Sequence, residues 1–379
     1  MTTRTTSPRD RFVAIFLKGG ADGLSMCIPY REKAYRRLRP TTALPSPDHG
    51  GSIDLDGTFA LPRALAALEP LFRDGRLAIV PACGLPIADR SHFNAQAVLD
   101  AGTGATSELA TGWIARHLAS TPPQEEGSIR ALSMNAFVPR SLRGADRVAA
   151  MPSPECRASL QRLAESPPLR RVLESLYRGD PSWSAARDAM EALIAIDPKT
   201  LPGVPTEPES TARREWRLAL ERTGHVACAR PDIDVLTVEL DTWDTHVQQG
   251  AIGGALETKL RTLGDGLAEL VALTDPLPRP TTIAVFTEFG RRVAENGNGG
   301  TDHGRGGVAM FIGRGIAGGR VIHRWPGLRP RALEDGRDVR ITIDLRDLLA
   351  EVLEKRLGNP AAQQAFPEHD LEVLGLTRS

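Results

Sequence analysis

The stretch RFVAIFLKGG, residues 11–20, decides the fold class of this 379-residue chain. Its apolar run, 12–17, lies between an arginine and a lysine that is followed by two glycines. A short apolar run bounded in this way predicts a strand that is buried on both faces. Such strands are typical of parallel sheets covered by helices, so the stretch predicts an α/β fold.

The segments that follow alternate between strand and helix patterns. RLAIVPACG (76–84) predicts a second buried strand, and SHFNAQAVLDAG (91–102) predicts a helix with Ser91 at its cap position. Later, IDVLTVEL (233–240) and TTIAVF (281–286) again predict strands. Between these two lies a stripe of leucines at helical spacing: Leu256, Leu260, Leu263, Leu267 and Leu270. The pattern predicts a mostly parallel central sheet with helices on both faces.

The middle of the chain has a different character and suggests a division into three segments. Residues 120–230 are rich in proline and arginine, and their patterns are helical. We expect a helical insertion or cap there, between an N-terminal half of the α/β core (1–119) and a C-terminal half of the same core (231–379). The expected helices of the insertion are 154–166, 167–179, 182–196 and 211–224.

Four of the predicted strands are followed by residues that can carry chemistry. The carboxyl ends of parallel strands meet at one edge of the sheet, and α/β folds bind their ligands there. In chain order these residues are Asp22, Ser91, His92, Asp241, Asp244, His246, Glu288, Arg291, Asp302 and His303. Carboxylates and imidazoles are ligands of zinc and manganese, so this edge is a candidate metal site.

The loop GGTDHGRGG (299–307) places Asp302 and His303 side by side between glycines. Glycines let the backbone approach closely, so we expect this loop to fold tightly around a cation. Each residue has a structural alternative when it is taken alone. Asp302 and Asp22 are also typical turn residues, and Ser91 is also a typical helix cap. The coincidence of several such residues at one edge favours the site.

The composition excludes several classes of function. Lys plus Arg equals Asp plus Glu at 47 each, so the chain gives no reason to expect nucleic-acid or anionic-membrane binding. The four cysteines are scattered without a CxxC pair, which argues against a disulfide scaffold and a cysteine zinc site. The N-terminus is polar, without a signal peptide or transmembrane pattern. As written, the chain is expected to be cytoplasmic, and its oligomeric state cannot be predicted.

Several motifs together point to a known family. They are FLKGGADGLSMCIPY (16–30), DRSHFNAQ (89–96), TGWIARHL (111–118), WDTHVQQG (243–250), TEFGRRVAENGNGGTDHGRGG (287–307) and GGRVIHRWPGL (318–328). These motifs resemble the DUF1501 family of bacterial proteins, and the resemblance extends from Phe12 to the terminal FPEHDLEVLGL (366–376). The family looks related to the alkaline phosphatase and sulfatase superfamily. Many of its members carry a twin-arginine export leader, which this sequence does not show.

The resemblance implies an alkaline-phosphatase/sulfatase-like fold and an ordered set of site residues. In chain order, the residues that match the superfamily pattern are Asp22, Ser91 as the nucleophile, Asp244 with His246, and Asp302 with His303. The resemblance further implies one divalent cation held by Asp22, Asp302 and His303 near Ser91, and a second held by Asp244 and His246.

Two positions of this pattern stay open. The superfamily commonly separates its Asp and His by three residues, whereas Asp244 and His246 are separated by one and Asp241 and His246 by four. Either aspartate is therefore a candidate ligand. For a late histidine of the pattern, His323 and His92 are both candidates.

We therefore expect a metal-dependent hydrolase that acts on a small-molecule anionic ester, a phosphate or a sulfate, with one or two zinc or manganese ions. Ser91 is the candidate metal-activated nucleophile, and Arg291 or Arg90 is the candidate for stabilising the developing charge. The alternative is a non-catalytic member of the same fold, a binding protein with a structural or vestigial metal. A Ser-His-Asp hydrolase is disfavoured because Ser91 lacks a GxSxG context, and a dinucleotide site because KGGADG lacks GxGxxG spacing.

Overall fold

The computed structural model describes residues 9–106, 108–123, 129–151, 162, 165–178 and 211–378. Its strands are β1 (Arg11–Leu17), β2 (Ser52–Asp54), β3 (Ala60–Pro62), β4 (Leu77–Gly84), β5 (Ala131–Ser133), β6 (Val148–Ala150), β7 (Val235–Leu240), β8 (Thr281–Phe286), β9 (Gly307–Ile312), β10 (Arg320–Val321) and β11 (Ile343–Asp344). Strands β2 and β3 form a small antiparallel sheet, and the others form one large sheet.

The α-helices of the described residues are α1 (Gly23–Met26), α2 (Lys33–Leu38), α3 (Glu69–Arg73), α4 (His92–Ala101), α5 (Trp113–Ser120), α6 (Pro167–Tyr177), α7 (Thr211–Ala229), α8 (Ala255–Thr274) and α9 (Leu345–Lys355). Short 3-10 helices span Pro47–His49, Arg63–Leu68, Arg140–Leu142, Pro330–Ala332 and Ala362–Ala365. Among the described helices, none combines the length and the apolar composition that crossing a bilayer requires.

The large sheet has the strand order β10-β4-β9-β8-β1-β7-β5-β6, with β11 also paired to β4. Strand β1 is central and pairs in parallel with β7 and β8. Strand β9 runs antiparallel to both β8 and β4, so that β4 points in the same direction as β8. The carboxyl ends of β1, β4, β7 and β8 therefore share one edge, and the loop that leads into β9 reaches the same edge. This confirms the predicted mostly parallel sheet.

Both faces of the sheet are covered by helices, as predicted. Val13, Ile15 and Leu17 of β1 belong to a core that includes α7 and α8, whereas the residues between them belong to a core that includes α4, α5 and α9. Successive residues of a strand point to opposite faces, so one apolar run supplies both cores. The five leucines of the predicted stripe on α8 are all buried, each with 3% of its surface or less exposed.

Part of the predicted insertion belongs to the sheet. Within 120–230, β5 pairs in parallel with both β7 and β6, whereas the sequence showed only helical patterns there. Strands of three residues are too short to display a period. The helices expected at 167–179 and 211–224 are present as α6 and α7. Those expected at 154–166 and 182–196 lie mostly or wholly outside the described residues, and the three-segment division stays a prediction.

Candidate metal centre

Two loops at the carboxyl edge of the sheet pack directly on each other. One follows β7 and the other connects β8 to β9. The backbone N–H of Gln249 donates to the carbonyl of Gly299 at 2.9 Å, and the N–H of Thr301 donates to the carbonyl of Thr245 at 3.0 Å. These bonds place the predicted pair Asp244 and His246 next to the predicted pair Asp302 and His303.

Two glycines of the β8–β9 loop allow close backbone contacts at this edge. A Cβ atom on Gly300 would overlap the backbone carbonyl of His246 in the other loop, and one on Gly304 would overlap the backbone of Arg291 within the same loop. A larger residue at Gly300 would therefore push the two loops apart, and one at Gly304 would distort the β8–β9 loop itself. The glycines thus serve the close backbone approach that the sequence predicted.

Three imidazoles surround the carboxylate of Asp244. Its Oδ1 lies 3.0 Å from Nε2 of His246 and 3.1 Å from Nε2 of His303, and its Oδ2 lies 3.4 Å from Nε2 of His92. Ligand atoms about 2.0–2.1 Å from a tetrahedral zinc are about 3.3 Å from one another. The ligand atoms of His92, Asp244 and His303 all lie within 4.8 Å of one another, so they are close enough to share one ion.

The surroundings of His92 fit a metal ligand. Its Nδ1 lies 2.8 Å from Oε1 of Glu288, whose side chain is fully buried, and its Nε2 is buried without a hydrogen-bond partner. The hydrogen bond to Glu288 raises the pKa of His92, against the effect of burial. A carboxylate behind one ring nitrogen directs the lone pair of the other toward a metal and increases its basicity. A cation would satisfy the unpartnered Nε2, which otherwise carries a desolvation cost.

His303 is held in a similar way by the backbone. Its Nδ1 lies 2.8 Å from the carbonyl oxygen of Arg90, so Nδ1 carries the proton and donates it. The lone pair of a neutral ring then lies on Nε2, which faces Asp244. Burial lowers the pKa of His303, which favours that neutral form. From the sequence, Glu288 was predicted only as a residue at a strand end. Arg90 was predicted to stabilise developing charge.

Asp244 is ionised because Arg291 is fixed beside it. Partial burial would raise the pKa of Asp244, but the hydrogen bond and charge of Arg291, at 2.7 Å, and the neighbouring histidines lower it to about 2. The guanidinium of Arg291 is buried and also donates to the carbonyls of Gly20 and Thr301. Arg291 was predicted to stabilise charge on a substrate, and the structure instead gives it partners within the protein.

Asp302 contacts the Nδ1 side of His246, away from the three Nε2 atoms that surround Asp244. Its Oδ1 is 3.4 Å from Nδ1 of His246 and accepts a hydrogen bond from Nδ2 of Asn296 at 3.0 Å, while its Oδ2 is 3.2 Å from Arg292. The Asn296 bond, against the effect of burial, lowers the pKa of Asp302. In this arrangement Asp302 orients His246, whereas the resemblance implied a direct ligand.

Asp22 lies outside the group of described residues that could share one ion, and its role as a ligand, which the resemblance implied, stays a prediction. Its buried carboxylate forms a two-point ion pair with Arg39 at 2.5 and 2.9 Å, and it accepts further hydrogen bonds from Ser25 at 2.6 Å and Gln249 at 2.7 Å. Burial opposes ionisation, but the charge and hydrogen bonds of Arg39 lower the pKa of Asp22. The guanidinium thus supplies the positive charge that this buried carboxylate requires. No motif marked Arg39 in the sequence.

Ser91 lies next to the imidazole cluster along the chain. It is the N-cap residue of α4, but its hydroxyl makes no capping hydrogen bond. The residue before it, Arg90, contacts His303 through its carbonyl, and the residue after it is His92. The side chain of Arg90 itself points to an ion pair with Asp338. Of the candidate catalytic residues, Ser91 is thus the one that adjoins the cluster along the chain and whose hydroxyl is not used for capping.

For each of the two positions that the sequence left open, the structure distinguishes between the two candidates. Asp244 contacts the imidazoles, whereas Asp241 is exposed and lies outside the group of possible ligands among the described residues. His92 belongs to that group, whereas the ring of His323 packs on Phe59 with 5.0 Å between the ring centres.

Sequence comparison identifies a family whose function is not known. The profile described as "Protein of unknown function (DUF1501)" matches residues 84–370. No curated protein matches the chain significantly.

Several solved structures resemble the chain at low sequence identity. A phosphonoacetate hydrolase from Sinorhizobium meliloti 1021, in complex with phosphonoformate, is 14% identical over 76% of this chain and 57% of its own length, with a TM-score of 0.32. The alkaline phosphatase of the Antarctic bacterium TAB5 is 9% identical over 82% of this chain and 93% of its own, with a TM-score of 0.32. The zinc complex of the C-terminal periplasmic domain of EcEptC from Escherichia coli is 10% identical over 81% and 74%, with a TM-score of 0.31.

Proposed function

The chain belongs to the DUF1501 family, and we propose that this member is a metal-dependent hydrolase of a phosphate or sulfate ester. We assign the cation, zinc or manganese, to His92, Asp244 and His303, with His246 beside them. The observation that carries the proposal is the convergence of three Nε2 atoms on one carboxylate, one of them buried and without a partner.

A divalent cation at this position supplies Lewis-acid stabilisation of the negative charge on an ester oxygen. The protein's own groups prepare the site for it. Glu288 and the carbonyl of Arg90 keep His92 and His303 in the tautomer with the lone pair on Nε2. Asp244 contributes a full negative charge, since its pKa is about 2.

Ser91 is the nucleophile in this proposal. Its hydroxyl is not used for capping, and α4 begins at the next residue, whose imidazole belongs to the cluster. Backbone N–H groups at a helix start favour an anion such as the phosphate or sulfate of an ester. The side chains of His92, Asp244 and His303 remain 22%, 41% and 23% exposed, which leaves an approach for a substrate.

The second candidate function is a non-catalytic protein with a structural cation. The ion pair between Asp22 and Arg39 favours it, because it removes one carboxylate from the set that a two-metal site would use. A two-metal clamp stabilises both the attacking and the leaving oxygen, and a single ion does not.

The first test is the metal content of the purified protein, measured by plasma mass spectrometry after reconstitution with zinc and with manganese. We expect about one equivalent in the wild type, a loss in Asp244→Ala, and no change in Asp241→Ala, the matched control from the same loop. Absence of metal from the reconstituted wild type would refute both candidate functions.

The second test separates the two candidates. Aryl phosphates and aryl sulfates are offered to the metal-loaded protein. The hydrolase predicts turnover that disappears in Ser91→Ala while the metal content stays unchanged. Metal binding without turnover of any ester would favour the structural role.

A further inference from the structure

A cavity lies between the loop after β7 and the helices α7 and α8. It has a volume of about 210 Å³, far more than the roughly 10–15 Å³ that one water molecule needs. Thr242, in the loop after β7, forms part of its wall and lies two residues before Asp244. The other lining residues that matter here are Arg213, Trp216, Thr258, Lys259 and Thr262.

The polar part of the lining is suited to an anion. Its described residues include two basic side chains, Arg213 and Lys259, and three threonines, and none of these described lining residues is acidic. The ammonium group of Lys259 donates to the carbonyl of Thr242, and it has no carboxylate partner among the described residues. This hydrogen bond holds the ammonium group in place, and no ion pair with a described residue neutralises its charge.

Lys259 is also within electrostatic reach of the metal centre. Burial, followed by the charge of Arg291, lowers the pKa of Lys259, and the charge of Asp244 opposes this effect. The cavity and the imidazole cluster therefore both adjoin the loop after β7, the cavity at Thr242 and the cluster at Asp244.

The aromatic part of the described wall is Trp216, which packs on a second tryptophan. The ring of Trp216 stacks on that of Trp243 with 5.0 Å between the centres and 13° between the planes, and Trp243 directly precedes Asp244. Both rings are buried in the core beneath the loop. A flat organic group beside this wall would be held by contact, while its charge would be held by the basic residues.

We propose that this cavity binds a second anionic group of the substrate, a carboxylate or phosphate carried by the organic part of the ester. The assignment rests on the proposed function, because the metal centre would hold the group that is hydrolysed. In this arrangement Lys259 is a specificity residue. It selects esters with a second negative charge and takes no part in bond cleavage.

The first experiment measures anion binding without catalysis. Benzoate is titrated into the full-length, metal-loaded protein, and isothermal titration calorimetry measures its affinity. We expect Lys259→Met to weaken benzoate binding about tenfold, the effect of losing a charge-assisted hydrogen bond. Lys259→Arg should keep the affinity, and so should Lys33→Met, which removes an exposed lysine of α2. Equal affinity in the wild type and Lys259→Met would overturn the proposal.

The second experiment compares turnover of phenyl phosphate with that of 4-carboxyphenyl phosphate. We expect a preference for the carboxylated ester, expressed in KM, which Lys259→Met removes with kcat unchanged and Lys259→Arg retains. Turnover of both esters without preference would overturn the inference and leave the hydrolase standing. Benzoate binding without turnover of either ester would overturn the hydrolase and leave only the anion site.

Discussion

At the scale of single residues, each imidazole of the cluster is fixed from behind by a different group. Glu288 holds His92, the carbonyl of Arg90 holds His303, and Asp302 faces His246. Such outer contacts set the tautomer and the ring orientation, so they would contribute to the affinity for a bound metal without touching it.

Replacing Glu288 with glutamine tests this outer contact. The variant Glu288→Gln keeps the shape of the side chain but removes the charge that orients His92. We expect the affinity for zinc to fall about 10-fold to 100-fold, measured by competition with a chelator of known affinity. Glu269→Gln, an exposed position on α8, is the control and should bind as the wild type does. An unchanged affinity in Glu288→Gln would show that His92 is not a ligand.

The ion pair of Asp22 with Arg39 is expected to contribute to stability, not to metal binding. Both side chains are fully buried, so Asp22→Asn leaves a guanidinium without its counter-charge. Removal of one partner of a buried pair costs about 3–5 kcal/mol. We expect a loss of this size in the free energy of unfolding, measured with urea, while the metal content stays at the wild-type level. Loss of metal without loss of stability would restore Asp22 as a ligand.

The same pair predicts a dependence on pH. Because the pKa of Asp22 is lowered in the folded protein, its contribution to stability is present above the unfolded value of about 3.9 and is lost as the pH falls through the folded value. The difference in unfolding free energy between the wild type and Asp22→Asn should therefore be constant from about pH 7 to pH 5 and shrink below about pH 4. Urea titrations at several pH values measure it, and a difference that already shrinks between pH 7 and 5 would contradict the assignment.

At the scale of elements, the metal centre depends on how closely two loops approach. Gly300→Ala would place a methyl group against the backbone of His246, whereas Gly297 has no atom within 4 Å of an added Cβ. We expect Gly300→Ala to lose metal and Gly297→Ala to retain it, with circular dichroism unchanged in both. The metal content of each variant measures metal binding, and far-ultraviolet circular dichroism measures the secondary structure. Full metal binding by Gly300→Ala would show that the loop contact does not position the ligands.

The elements that could be predicted are those whose own residues form a sufficiently long hydrophobic pattern. The apolar runs of β1, β4, β7 and β8 and the leucine stripe of α8 are long enough to define a strand or a helix. Strands β5, β10 and β11 have two or three residues each, and they exist because longer neighbours offer hydrogen bonds. Their formation depends on tertiary structure, which no local pattern records.

The same distinction applies to the site. The rule that ligands lie at strand ends named Asp244, His246 and His303, and the structure brings these three side chains together. It could not show that Arg39 reaches Asp22, because that contact depends on where α2 lies after folding. It also left the role of His92 open, since that role follows from the position of Glu288.

At the scale of the whole molecule, the candidate ligands come from parts of the chain that are far apart in sequence. His92 follows β4, Asp244 follows β7, and His303 precedes β9, so only the complete sheet brings them together. An unfolded chain has no such site. A cation that binds only the native state must therefore stabilise the entire fold.

This linkage gives the last prediction. A cation present at 100 times its dissociation constant should add about 2.7 kcal/mol to the free energy of unfolding. With an unfolding entropy of about 2.1 cal/mol/K per residue, the melting temperature of a chain of this length should rise by about 3 °C. Calorimetry with zinc and with manganese should show this rise for the wild type and Asp241→Ala and not for Asp244→Ala. A rise that persists in Asp244→Ala would place the stabilising ion elsewhere in the molecule, and a titration that saturates at two equivalents would require a second set of ligands besides the three imidazoles and Asp244.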